Sequence, residues 1–94
     1  MFNHYKFVNS TAIQYIAYDV PSHTLRIVFT SGTAYDYRQV PPTLYLKLTV
    51  APSVGRSFRE LVRDRYRSTR LTDRELAQFM TTIARREHTK ASLR

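Results

Sequence analysis

The stretch Leu25-Arg26-Ile27-Val28-Phe29-Thr30-Ser31-Gly32-Thr33-Ala34-Tyr35-Asp36-Tyr37-Arg38 decides the fold. Leu25, Ile27 and Phe29 alternate with Arg26, Val28 and Thr30, the two-residue period of a half-buried strand. A second β-rich run, Thr33 to Arg38, follows Ser31-Gly32, so the two runs pair as an antiparallel hairpin. The length of the loop sets the face on which Tyr35 and Tyr37 lie. A two-residue loop at Ser31-Gly32 places both tyrosines opposite the Leu25-Ile27-Phe29 face, where they form a stacking platform. A three-residue loop, Thr30-Ser31-Gly32 with Gly32 in the left-handed position of a bulge, turns them into the core. Serine disfavours positive φ, which favours the bulge.

Outward from the hairpin, Ala12 to Tyr18 reads as the preceding strand, and Asp19 to Thr24 supplies turn chemistry through Asp, Pro and Ser. Downstream, Pro41-Pro42 stops the sheet and opens a helix with Leu44, Leu48 and Ala51 on one face and Tyr45 beside them; Pro52 ends it. A second helix is expected after Gly55, with a capping box of Ser57 and Glu60 and an apolar stripe of Phe58, Leu61, Val62 and Tyr66. Thr72 and Glu75 repeat the box for a third helix, stapled by Leu71 and Leu76 and striped by Leu76, Phe79, Met80 and Ile83. The last six or so residues read as frayed. The expectation is an α+β fold: a three-stranded antiparallel β-meander followed by three α-helices packed on one sheet face. Residues 1–9 form an N-terminal lead-in, 10–71 the main unit, and 72–94 a C-terminal amphipathic helix and frayed tail packed on the same domain.

Ninety-four residues allow one core, and an apolar share of 43% with seven Tyr and five Phe argues for a packed globule. No cysteine is present, which excludes disulfides and thiolate zinc sites. The N-terminal residues lack the apolar run of a signal peptide, and no stretch is apolar enough to span a membrane, so the expected location is the cytoplasm. The net charge of +8 is uneven. Up to residue 55, Lys6, Arg26, Arg38 and Lys47 face Asp19 and Asp36; beyond it, ten arginines and Lys90 face five acidic residues. Such a field attracts polyanions.

Three motifs resemble the KTSC domain. Ser10-x-x-Ile13-x-x-Ile16-Ala17-Tyr18-Asp19 is similar to the family's opening strand, with Ala17 where glycine is usual. Leu25-x-Ile27-x-Phe29-x-x-Gly32-x-x-Tyr35-x-Tyr37-x-x-Val40-Pro41 is similar to its central hairpin. Ala51-x-Ser53-x-Gly55-x-x-Phe58-x-x-x-Val62-Arg63-x-x-Tyr66 is similar to its helical end. The resemblance covers Ser10 to about Leu71. The family occurs at the C-terminus of some lysyl-tRNA synthetases and as small single-domain bacterial proteins. It has no established activity, and RNA binding is a suggestion for it. The resemblance therefore implies a fold more firmly than a function.

Arg59, Arg63 and Arg67 recur every four residues, which on one continuous helix gathers them in a single sector, with Arg56 and Arg70 near its ends. Arginine's planar fork suits bidentate phosphate contacts, so this stripe is the candidate nucleic-acid-binding surface. The bland alternative is a solvated face on which Glu60, Arg63, Asp64 and Arg67 pair locally, each pair contributing about 0.2–0.5 kcal/mol. Arg38, Lys47, Tyr35 and Tyr37 join the site at its edge. Arg65 projects into the apolar stripe of the same helix and is expected to snorkel or to pair with Asp19 or Asp36.

No catalytic, metal or cofactor site is expected. His4, His23 and His88 are isolated, no glycine-rich elbow frames a serine, and two glycines are too few for a phosphate-cradling loop. The functional expectation is a small, basic, non-enzymatic module that binds nucleic acid, RNA or a single strand, through an arginine-rich helix. The alternative is a protein-interaction module, of phage or prophage type, docking on an acidic partner protein. A membrane surface is disfavoured because neither late helix has an aromatic-rich apolar face.

Overall fold

Gly32 adopts φ of +93°, and the amide of Phe29 donates to the Thr33 carbonyl at 2.8 Å, so Thr30-Ser31-Gly32 is the three-residue bulged loop. In the computed structural model, which describes residues 2–92, this loop joins strands β3 (Thr24–Phe29) and β4 (Ala34–Tyr37). Their register pairs Leu25 with Tyr37 and Ile27 with Tyr35, and cross-strand partners share a face. The tyrosines therefore lie on the Leu25-Ile27-Phe29 side.

The sheet has five antiparallel strands, two more than expected, in the order β1 (His4–Phe7), β2 (Ile13–Asp19), β3, β4 and β5 (Ser68–Arg70). The supposed lead-in supplies β1, and a segment read as helix supplies β5. Strand β2 carries an irregularity between Ile13 and Tyr15. That bulge explains the three-residue spacing of Ile13 and Ile16. An undisturbed strand would send them to opposite faces, yet both are buried in one cluster.

Helix α1 (Pro42–Val50) begins with proline at its first turn, as expected, and buries Tyr45 and Leu48. Helix α2 (Val54–Leu61) starts before the expected capping box: Ser53, not Ser57, is the N-cap, its hydroxyl accepting from the Arg56 amide. It also ends early. The amides of Val62 and Arg63 both donate to the Phe58 carbonyl, and Asp64 takes a left-handed φ of +63°. This reversal lets Ser68–Arg70 return along β4, with Tyr35 opposite Arg70 and Tyr37 opposite Ser68. Arg65 consequently sits exposed on the turn, and neither expected carboxylate is needed to neutralise it.

Helix α3 (Asp73–Ser92) keeps its predicted capping box: the Thr72 amide donates to Glu75 Oε1 at 2.8 Å and the Glu75 amide to Thr72 Oγ1 at 3.1 Å. Hydrogen bonding of the carboxylate, first by the Thr72 backbone amide and then by the Thr72 side chain, holds the Glu75 carboxyl below its ordinary pKa. The helix extends to Ser92, into the end expected to fray; residues 93 and 94 lie outside the described residues.

The three helices do not share one sheet face. Helices α1 and α2 cover the side bearing Ile16, Tyr18, Leu25, Ile27 and Tyr37, with Val40, Leu48, Phe58 and Val62 filling the layer. Helix α3 covers the opposite side, where Phe79, Ile83 and Leu71 pack on Ala17, Val28 and Ala34. Both faces of the sheet are buried because β3 is apolar on both: Leu25 and Ile27 on one side, Val28 on the other. The small residues Ala17 and Ala34 leave room for the helix.

Arg26, on the α3 side, makes a bidentate ion pair with Asp36 at 2.7 and 2.9 Å. Its guanidinium lies 4.0 Å from the Phe2 ring centroid and 5.0 Å from that of Phe79. The far part of α3 is tied to the N-terminal segment: Arg86 donates to the Phe2 carbonyl and Asn3 Oδ1, and Tyr5 donates to Glu87. Strand β1 and helix α3 thus brace each other.

Candidate nucleic-acid interface

The break after Leu61 disperses the expected arginine stripe. Four-residue spacing aligns side chains only while the helix continues, and it ends before Arg63. Arg56 and Arg59 remain on α2, with the Arg59 guanidinium lying back against Gly55. Arg63 lies on the turn, Arg67 on the approach to β5, and Arg70 at the end of β5; all five are exposed. Arg38 follows β4, and its amide donates to the Arg67 carbonyl at 2.8 Å. The Arg38 guanidinium is directed toward Thr24 Oγ1 (3.4 Å), on the α3 side of the sheet, away from the tyrosines. Lys47 stands on the last turn of α1.

What the chain reversal assembles instead is a notch of about 400 Å³ between the end of α2 and the β4–β5 edge, lined by Phe29, Thr33, Tyr35, Tyr37, Phe58, Arg63, Asp64 and Ser68. Its floor is a closed circuit of four rings. Phe29 meets Tyr35 edge to face at 6.2 Å, Tyr35 meets Tyr37 at 6.5 Å, Tyr37 meets Phe58 at 5.4 Å, and Phe58 meets Phe29 at 5.7 Å. Tyr37 is 7% exposed and belongs to the core. Tyr35 is half-buried and packs against that core from the rim, so both tyrosines lie on the core side, Tyr37 within it and Tyr35 at its margin, and neither is on the opposite face that the platform reading required.

The electrostatics of the notch are mixed. Arg63 stands on its wall, and Arg70 is in register with Tyr35 across the β4–β5 ladder, so the two share a face of the sheet. Asp64 supplies one carboxylate at the lip. Burial, then the neighbouring Tyr35, pushes the Tyr37 phenol up to about 12, against the pull of Arg63. Its hydroxyl is therefore neutral and able to donate at any physiological pH. Such a combination stacks planar rings, accepts and donates hydrogen bonds, and attracts negative charge at its rim.

Phe29, Thr33, Phe58, Asp64 and Ser68 were not expected in the site. The two phenylalanines were legible as core, but their meeting with the tyrosines depends on the reversal at Asp64, and Ser68 arrives only with β5. Among the described residues, no three His, Cys, Asp or Glu side chains are grouped so as to hold a metal ion. No helix among them is long and apolar enough to cross a membrane.

Comparison with known proteins places this arrangement. A Tsukamurella paurometabola protein is 38% identical over 64 residues, which cover 68% of this chain and 96% of that protein. A lysine–tRNA ligase of Nostoc punctiforme is 32% identical over 62 residues, 66% of this chain but 11% of the ligase. The crystal structure of a KTSC domain protein from Yersinia pestis superimposes with a TM-score of 0.69 at 27% identity, covering 73% of this chain and 97% of that one. Residues 9–66 match the KTSC domain; β1, β5 and α3 fall outside the matched span, and the notch straddles its C-terminal boundary. The chain belongs to the KTSC domain family.

Proposed function

We propose that the chain is a non-enzymatic module that binds single-stranded nucleic acid, RNA in preference to DNA, along the edge where the α2–β5 turn meets the sheet. The observation that carries this reading is the placement of Arg63 on the wall of the notch that holds the half-buried Tyr35 and of Arg70 in register with Tyr35 on the next strand, with Arg67 on the segment between them. Guanidinium groups grip phosphates, and an accessible aromatic face takes an unpaired base; sequence-tolerant single-strand binding combines the two. The net charge of +8 supplies the long-range attraction. A relative embedded in a lysine–tRNA ligase, an enzyme named for a tRNA substrate, supports RNA over DNA.

Arg56, Arg59, Arg38 and Lys47 lie on other elements and contribute general field, not direct grip. A second reading has one observation in its favour. Leu46 and Val50, 59% and 80% exposed, lie one turn apart on α1 and flank Lys47, a surface suited to an acidic protein partner. Filter binding of labelled single-stranded RNA, single-stranded DNA, duplex DNA and heparin separates the readings. The proposal requires tighter binding of single strands than of duplex and heparin. Equal binding to all four marks a nonspecific polycation, and no binding at near-physiological salt leaves the protein-docking reading.

A further inference from the structure

We infer that the notch beside Tyr35 is a subsite for one unstacked nucleobase of the bound strand. This inference rests on the proposed single-strand function and adds what the arginines alone do not supply: contact with a base. The volume of about 400 Å³ is in the range of small-molecule clefts, about 300–1,000 Å³. Its floor is the four-ring circuit, and Phe29 and Tyr35 are the two rings left partly open to solvent.

Charge selects the occupant. An aromatic recess of this kind serves two sorts of ligand, a cation over the ring faces or a planar π system upon them. Arg63 on the wall and Arg70 in register with Tyr35 outnumber the single carboxylate of Asp64 and so disfavour a cation, whereas both arginines attract the phosphates on either side of an inserted base. Ser68 and Asp64 at the lip offer a donor and acceptors to a base edge. The arrangement is polar at the mouth and aromatic beneath, which is what an extruded base needs.

The test separates base from phosphate. A fluorescein-labelled oligouridine of about ten nucleotides, within the length that single-strand binding folds engage, is compared by anisotropy with the same backbone made abasic throughout. The expected result is roughly 5- to 150-fold weaker binding of the abasic strand, the effect of losing one stacked base, with the same dependence on salt. Ser68→Ile, which projects an aliphatic plug from the exposed edge strand, should weaken oligouridine binding to about the abasic level and leave the salt dependence unchanged. Tyr35→Leu should do the same from the floor. If the wild-type chain binds both strands equally, with a steep salt dependence, the base subsite is refuted while phosphate binding stands. If it binds neither, the single-strand reading falls and the subsite with it.

Discussion

Replacing Gly32 with alanine isolates the loop that sets the faces of the sheet. No heavy atom lies within 4 Å of a Cβ built on Gly32, so the substitution meets no steric obstacle, and the cost comes from φ of +93° alone. Holding an L-residue in left-handed backbone costs about 1–2 kcal/mol. Alanine also reduces the freedom of the unfolded chain, which offsets about 0.4–1 kcal/mol. The net expectation is a loss of up to about 1.6 kcal/mol, centred near 0.8 kcal/mol, which at its centre lowers the melting temperature by about 3–6 °C in a domain of this size. Thermal melts by circular dichroism read this directly, with Gly32→Asn as a control that should be milder because asparagine tolerates left-handed backbone. An alanine variant more stable than the parent would show that residue 32 does not hold positive φ. The three-residue loop, and with it the placement of Tyr35 and Tyr37 on the core side, would then be wrong.

Tyr37→Ala should destabilise the domain by about 3–5 kcal/mol in a urea melt, the range for large aromatic truncations in a core, and Tyr35→Ala distinctly less because that ring is half-buried. Phe79→Ala should also cost about 3–5 kcal/mol, since it removes the buried anchor of α3 and one of the rings against Arg26; an unchanged melt would make α3 an appendage. Because the folded Tyr37 phenol is raised to about 12 from an unfolded value of 10, stability should be intact below pH 10 and fall as pH rises from 10 to 12. The loss is about 1–3 kcal/mol, checked by urea melts along that range against Tyr37→Phe, which should lose less.

The parts of the fold that are written locally were legible. Alternation from Leu25 to Phe29, the Ser-Gly loop, Pro41-Pro42 and the Thr72–Glu75 box each name an element through its own residues. The two extra strands were not, for the same physical reason at both ends. His4–Phe7 and Ser68–Arg70 carry no long apolar alternation, and they are strands because the edges of β2 and β4 offer them a ladder. The run Arg63-Asp64-Arg65-Tyr66-Arg67 contains no glycine or proline, so nothing in it announces the end of a helix; Asp64 takes left-handed backbone, which aspartate tolerates better than most residues. That one residue converts an arginine stripe into an aromatic notch with arginines at its rim. The second buried face was obscured by Arg26, which alternates with the apolar side of a half-buried strand, and by Asp36, which was offered to Arg65 but neutralises Arg26 beneath α3.

Whether Arg63, Arg67 and Arg70 hold the phosphates of a single strand is read from the salt dependence of binding. Each phosphate contact releases condensed counterions, so log K falls with log salt by about 0.7 per contact for a single strand. Replacing all three arginines with glutamine, while leaving Arg56 and Arg59 in place, should reduce that slope by about 2. The corresponding replacement of Arg56 and Arg59 should change it little. An unchanged slope in the first variant, or an equal reduction in both, would contradict the account.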